Sequence, residues 1–144
     1  MKTLIAKIKS QKIFTLNDSP LSIAKGFAIG SFIGMMPVPG FQVFIAFFVS
    51  SILKVNKKAA CLAVFNTNVI TGVFIFAFNY WLGKSLLGIE NNFIFPNKID
   101  FRFFEIILIA GKDVILSLFV GGIITGLISS IIVYYSILSY YMKK

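Results

Sequence analysis

The chain has 144 residues, 58% of them hydrophobic, 16% aromatic and only 13% charged, with a mean hydropathy of +0.90. A soluble domain carries about a quarter charged residues, so this is the composition of a membrane protein. Lys and Arg number 14 against 5 Asp and Glu, a net charge of +9, with no His and one Cys, which removes imidazole bases, Ser-His and Cys-His pairs, multi-cysteine zinc sites and internal disulfides.

The start, MKTLIAKIKSQKIFTLNDSP, is basic but has no apolar stretch or small-residue cleavage site of signal-peptide type. In residues 1–19, Leu4, Ile5, Ile8, Ile13 and Leu16 alternate with Lys2, Lys7, Lys9 and Lys12. That pattern reads either as an amphipathic helix on an anionic leaflet or as a solvated basic tail. The lysines flank apolar segments instead of lining a groove with interleaved aromatics, so no nucleic-acid partner is expected.

From Pro20 on, a single membrane domain to residue 144 is expected. Three charge-free intervals exceed the roughly 20 residues needed to cross a bilayer: Gly26 to Leu53, Ala59 to Gly83 and Val114 to Met142. The first is broken by Pro37-Val38-Pro39-Gly40, since two prolines remove backbone donors and Gly40 tolerates positive φ. The spacing predicts a helix from Pro20 to Met36, capped by Asp18 or Ser19, and a second from Phe41 to Leu53. The second is too short to span.

Residues 20–53 are therefore either a kinked crossing or a re-entrant hairpin, and the lysines favour the hairpin. Lys2, Lys7, Lys9, Lys12 and Lys25 precede it, Lys54, Lys57 and Lys58 follow it, and Lys143 and Lys144 end the chain, whereas the 84–113 loop balances four positive against four negative residues. A hairpin puts every lysine-rich flank, and both termini, in the cytoplasm. Residues 59–83 and 114–142 then cross the membrane, and 84–113 is an external loop in which Phe101 to Ala110 forms an interfacial helix or folds back as a lid. The expected class is an all-α integral membrane protein: a re-entrant helical hairpin, two full transmembrane helices and interfacial amphipathic helices.

Gly26, Gly30 and Gly34 form one smooth face, and Gly122, Gly126 and Ser130 another. Such faces serve helix packing, and either offers a contact for a homo-oligomer. On the middle interval, Cys61, Asn68, Thr71, Gly72, Asn79 and Gly83 fall on one arc if the helix is unbroken. Gln42 opens the return helix, with Ala46 and Ser50 on the same face. A hairpin tip near mid-bilayer brings Pro37, Pro39, Gly40 and Gln42 to the depth of Asn68 and Thr71. These six residues are the expected substrate path or, alternatively, the polar groups that cap the broken backbone and glue hairpin to helix.

The run from Pro20 through Gly83 resembles a bacterial family of small integral membrane proteins designated domain of unknown function twenty-sixty-two. The matching residues are Ser19-Pro20, Ala24-x-Gly26-Phe27-Ala28-x-Gly30, Gly34, Pro37-x-Pro39-Gly40-x-Gln42, Asn56, Asn68-x-x-Thr71 and Gly83. Relatives usually have Asn-Pro-x-Thr at the second element. Here Val69 stands in the proline position, which argues for a straighter helix and against a local break at Asn68. The resemblance implies a multi-pass inner-membrane protein and no established activity. Its hairpin is similar in architecture to re-entrant elements of DedA-type lipid-transport proteins, an analogy that does not extend to function.

Expected from all this is a small transporter or lipid-translocating protein. The alternative is a non-catalytic scaffold or regulatory module for a membrane-protein partner in envelope synthesis. No enzyme activity, cofactor or metal is expected, because all five acids lie outside the three intervals. The expected partners are the lipid bilayer and further copies of the chain.

Overall fold

The computed structural model describes residues 18–90, 93–94, 97–98 and 102–143. The amphipathic reading of 1–19 thus lies, apart from Asp18 and Ser19, outside the described residues. Within them the chain is all-α, with one 3₁₀ turn.

Helix α1 (Pro20–Gly34) starts as expected. The Ser22 N–H donates to Ser19 Oγ at 3.2 Å, and Pro20 takes the first helical position, where no N–H is needed. It ends two residues before Met36. Val38-Pro39-Gly40-Phe41 then closes a type II turn, with the Phe41 N–H on the Val38 carbonyl at 3.2 Å and Gly40 at φ +88°. Proline at the second position and glycine at the third suit that turn.

Helix α2 (Gln42–Ile52) buries Gln42, Ala46 and Ser50, the face read from the sequence. It stops in a Schellman motif, Val55 N–H to Ser50 O at 3.0 Å and Lys54 N–H to Ser51 O at 3.3 Å. Lys54 takes the left-handed position at φ 52°, where glycine is the usual residue. The chain has by then returned to the start of α1: the Asn56 side chain donates to Asp18 Oδ2 at 3.3 Å, and its N–H approaches the Ser22 carbonyl. Helices α1 and α2 are thus an antiparallel hairpin.

Helix α3 (Lys57–Ala63) runs parallel to α1 along the glycine row. Gly26 faces Asn56 and Ala59, Gly30 faces Ala60, and Gly34 faces Val64 and Asn66. A Cβ on Gly30 would run into the Ala60 carbonyl oxygen, so only glycine permits this approach.

The middle interval is not one helix, against the expectation of a span from Ala59 to Gly83. A 3₁₀ turn (Val64–Asn66) follows α3, and Thr67 and Asn68 are extended. Helix α4 (Val69–Leu87) then begins, running past Gly83 to a left-handed Gly88 at φ 66°. The cause is local. Asn68 Oδ1 accepts the Ile70 and Thr71 N–H groups, each at 2.9 Å, while Thr71 Oγ1 accepts the Asn68 N–H at 3.0 Å. Asn68-x-x-Thr71 is a capping box, and such side chains offer the backbone an alternative to the helical ladder. The break at Asn68 exists without the family's proline, and the single polar arc from Cys61 to Gly83 dissolves with it.

Helix α5 (Arg102–Ala110) folds back, burying Phe103 and Ile107 against Phe76 and Tyr80 of α4 and against Val114 and Leu118. The buried Phe103 and Ile107 accord with the folded-back placement, and the exposed Leu108 and Ile109 with the interfacial one. Gly111, at φ +95°, turns the chain into α6 (Lys112–Met142). At 31 residues, α6 is about 46 Å long.

Helix α6 is antiparallel to both α1 and α4. Gly126 and Gly122 meet Phe32 and Met35 of α1, while Gly121 and Ser117 meet Asn79 and Gly83 of α4. The two small-residue faces are therefore covered within the chain, α1 against α3 and α6 against α1.

Helices α4 and α6 are long and apolar enough to span a membrane, and only 28% of the residues in each span are buried. Phe44, Phe48, Ile70 and Phe74 are 67–76% exposed. A water-soluble core helix would be covered. The chain is a multi-pass membrane protein.

Candidate functional site at two helix breaks

The C-terminus of a helix leaves carbonyls without intrahelical partners, and at the end of α1 three consecutive ones are met by side-chain amides. Gln42 Nε2 donates to the Gly34 carbonyl at 3.2 Å and to the Met36 carbonyl at 2.9 Å. Asn79 Nδ2, from α4, donates to the Met35 carbonyl at 2.9 Å. Asn79 is wholly buried, and its Oδ1 accepts from Thr125 Oγ1 of α6 at 2.7 Å. The turn is thus held by its own return helix, by α4 and by α6.

A second set of bonds ties the other break to the same place. Asn66 Nδ2 donates to Ser31 Oγ at 2.9 Å, Ser31 and Ser129 hydroxyls lie 2.6 Å apart, and Thr67 Oγ1 donates to Asn66 Oδ1 at 3.2 Å. Among the described residues every buried side-chain nitrogen and oxygen has a partner.

Where the two breaks meet, a cavity of about 360 Å³ opens between the hairpin tip and the start of α4. Pro39, Gly40, Gln42 and Val43 form one wall; Val64, Phe65, Thr67, Asn68, Gly72 and Phe76 form the other. The walls are mainly apolar, with Gln42, Thr67 and Asn68 as polar points and no ionisable side chain. The N-termini of α2 and α4 both end at this cavity, so two positive helix-dipole ends meet there.

Of the six residues expected to share a site, Pro39, Gly40, Gln42 and Asn68 do line the cavity. Pro37 is buried instead against Gly122 on α6. Thr71 is exposed and bonded to Asn68. Gln42 and Asn68 also carry the capping bonds that formed the alternative reading of these amides.

Sequence reasoning passed over Thr125, Ser31, Ser129 and Thr67, and gave Asn79 and Asn66 no role. The usable signal was a lone amide, Asn79, inside an otherwise apolar spanning run. Among the described residues no cluster of His, Cys, Asp or Glu could hold a metal.

A bacterial family described as "Uncharacterized protein conserved in bacteria (DUF2062)" matches residues 5–143. No curated protein and no solved structure matches the chain.

Proposed function

The chain belongs to the bacterial DUF2062 family, and from its own geometry we propose an inner-membrane protein that passes a small or lipid-like amphiphile across the hairpin tip. The observation that carries this reading is the cavity where two helix breaks meet. Discontinuous helices whose ends converge on a mid-membrane site are the usual construction of transporters. Apolar walls with three polar points suit a molecule that is itself mostly apolar, and the absence of lining charge disfavours an ionic substrate buried whole.

In this reading the α1–α2 hairpin is re-entrant and the termini and the Lys54–Lys58 loop face the cytoplasm, in keeping with the lysine distribution. Helix α3 enters from the cytoplasmic side, α4 leaves to the outside and α6 returns. Val43→Trp fills the cavity from a residue that carries no capping bond. Purified protein in liposomes should scramble a fluorescent phospholipid, or release one of a panel of small neutral solutes, and V43W should abolish this at unchanged abundance.

A scaffold is the second reading, favoured by one observation: Gln42, Asn68 and Asn79 all spend hydrogen bonds on the chain's own backbone. Under it the wild type shows no flux, and V43W leaves abundance and partner binding intact.

A further inference from the structure

On the other side of α2, away from Val43, a second groove runs between α1, α2 and α6. Its deep part, about 440 Å³, is walled by Phe32, Met36, Ile45, Val49 and Leu127, with Ser130 as the sole polar residue. Its outer part, about 280 Å³, is walled by Leu53, Val55 and Tyr134 and has Lys25 at the mouth. Ile29 lines both, so the two lie next to each other along α1. Lys25, Ile29 and Phe32 lie on one face of α1 and span about 10 Å along its axis.

The groove is apolar along its length and cationic at one end. No acid lines it, and its mouth lies at the lysine-rich end of the hairpin, where Lys54, Lys57 and Lys58 are also exposed. Basic pockets between membrane helices on the cytoplasmic side recognise anionic lipid headgroups. We propose that this groove is a binding site for one anionic phospholipid, with an acyl chain against Ile29, Val49 and Leu127 and the headgroup phosphate at Lys25. It is separate from the translocation cavity and stands whether or not the chain transports anything.

The test uses the full chain in mild detergent, incubated with phosphatidylglycerol or with phosphatidylcholine of the same acyl chains. Native mass spectrometry reads the lipid retained. One phosphatidylglycerol per chain is expected, held about fivefold more tightly than phosphatidylcholine, as one lysine near the surface provides. Lys25→Gln should erase the preference, whereas Lys58→Gln should keep it. Ile29→Trp should expel both lipids; if it lowers the melting temperature, Ser130→Phe fills the groove from α6 instead. Equal retention of the two lipids by the wild type, a preference surviving in K25Q, or retention surviving in both filled variants would overturn the proposal. So would a groove closed by a second copy of the chain in a stable dimer.

Discussion

Gln42 and Gly30 are the residues on which the hairpin most depends, one for hydrogen bonding and one for space. Gln42→Ala removes the side-chain donor from the Gly34 carbonyl and one of the two donors, the other being the Val38 N–H, from the Met36 carbonyl, at a cost of about 1–3 kcal/mol. Unfolding of the purified protein in detergent should register that loss. This makes Gln42 a poor probe of transport, since its removal weakens the fold and the cavity together. Gly30→Ala drives a methyl into the Ala60 carbonyl, and overpacking of this kind costs about 1–3 kcal/mol. In the opposite direction, Lys54→Gly relieves a left-handed lysine and should stabilise the α2 terminus by about 1 kcal/mol in the same measurement. Asp18 makes the chain's entry to α1 acid-sensitive. Its carboxyl is held below the usual carboxylate range by the Ser22 hydroxyl, then the Ser19 N–H and the Asn56 amide. A depressed carboxylate contributes above its unfolded pKa and stops contributing as pH falls through the folded one. The Asp18–Asn56 link should therefore hold at neutral pH and loosen only in strong acid, and Asp18→Ala should remove that pH dependence from protease cleavage near residue 56.

Elements came out of the sequence where punctuation was strong. Pro20, the PVPG turn and the charge-free run of α6 each set a boundary that local chemistry decides. The break inside the middle interval was hidden because its two parts are both apolar, and because Asn68-x-x-Thr71 fits two structures: a polar pair one turn apart in a continuous helix, or a capping box that starts one. Asn68 resolves the ambiguity in favour of the cap. The proline that relatives carry after this Asn would occupy the first position of α4, where proline is at home, so Val69 and proline serve the same break. Val69→Pro should be accepted, with unchanged helix content and a melting temperature equal to or above the wild type. Thr71→Ala, which removes half of the reciprocal cap, should cost about 1 kcal/mol. The packing of α1 on α3 and α6 was legible only as small-residue rows. Their partners lie at long sequence separation, and nothing in a glycine row distinguishes a neighbour in the same chain from one in another copy.

For the whole molecule, α6 packs against both α1 and α4, and Asn79, midway along α4, donates to the Met35 carbonyl just past the end of α1. The loop after α2 returns to the start of α1, which is the geometry that the proposed re-entrant α1–α2 pair requires. The translocation reading depends on this, since a tip exposed to water would be an ordinary surface turn. The decisive measurement is the sidedness of the α2–α3 loop in intact spheroplasts and inverted vesicles. Single cysteines replace Lys54 and Lys98, both exposed, on a Cys61→Ala background, and an impermeant thiol reagent is applied from each side. The account predicts labelling of K98C from outside and of K54C only from the cytoplasmic face. Labelling of K54C in intact spheroplasts would make residues 20–53 a full crossing and remove the mid-membrane site.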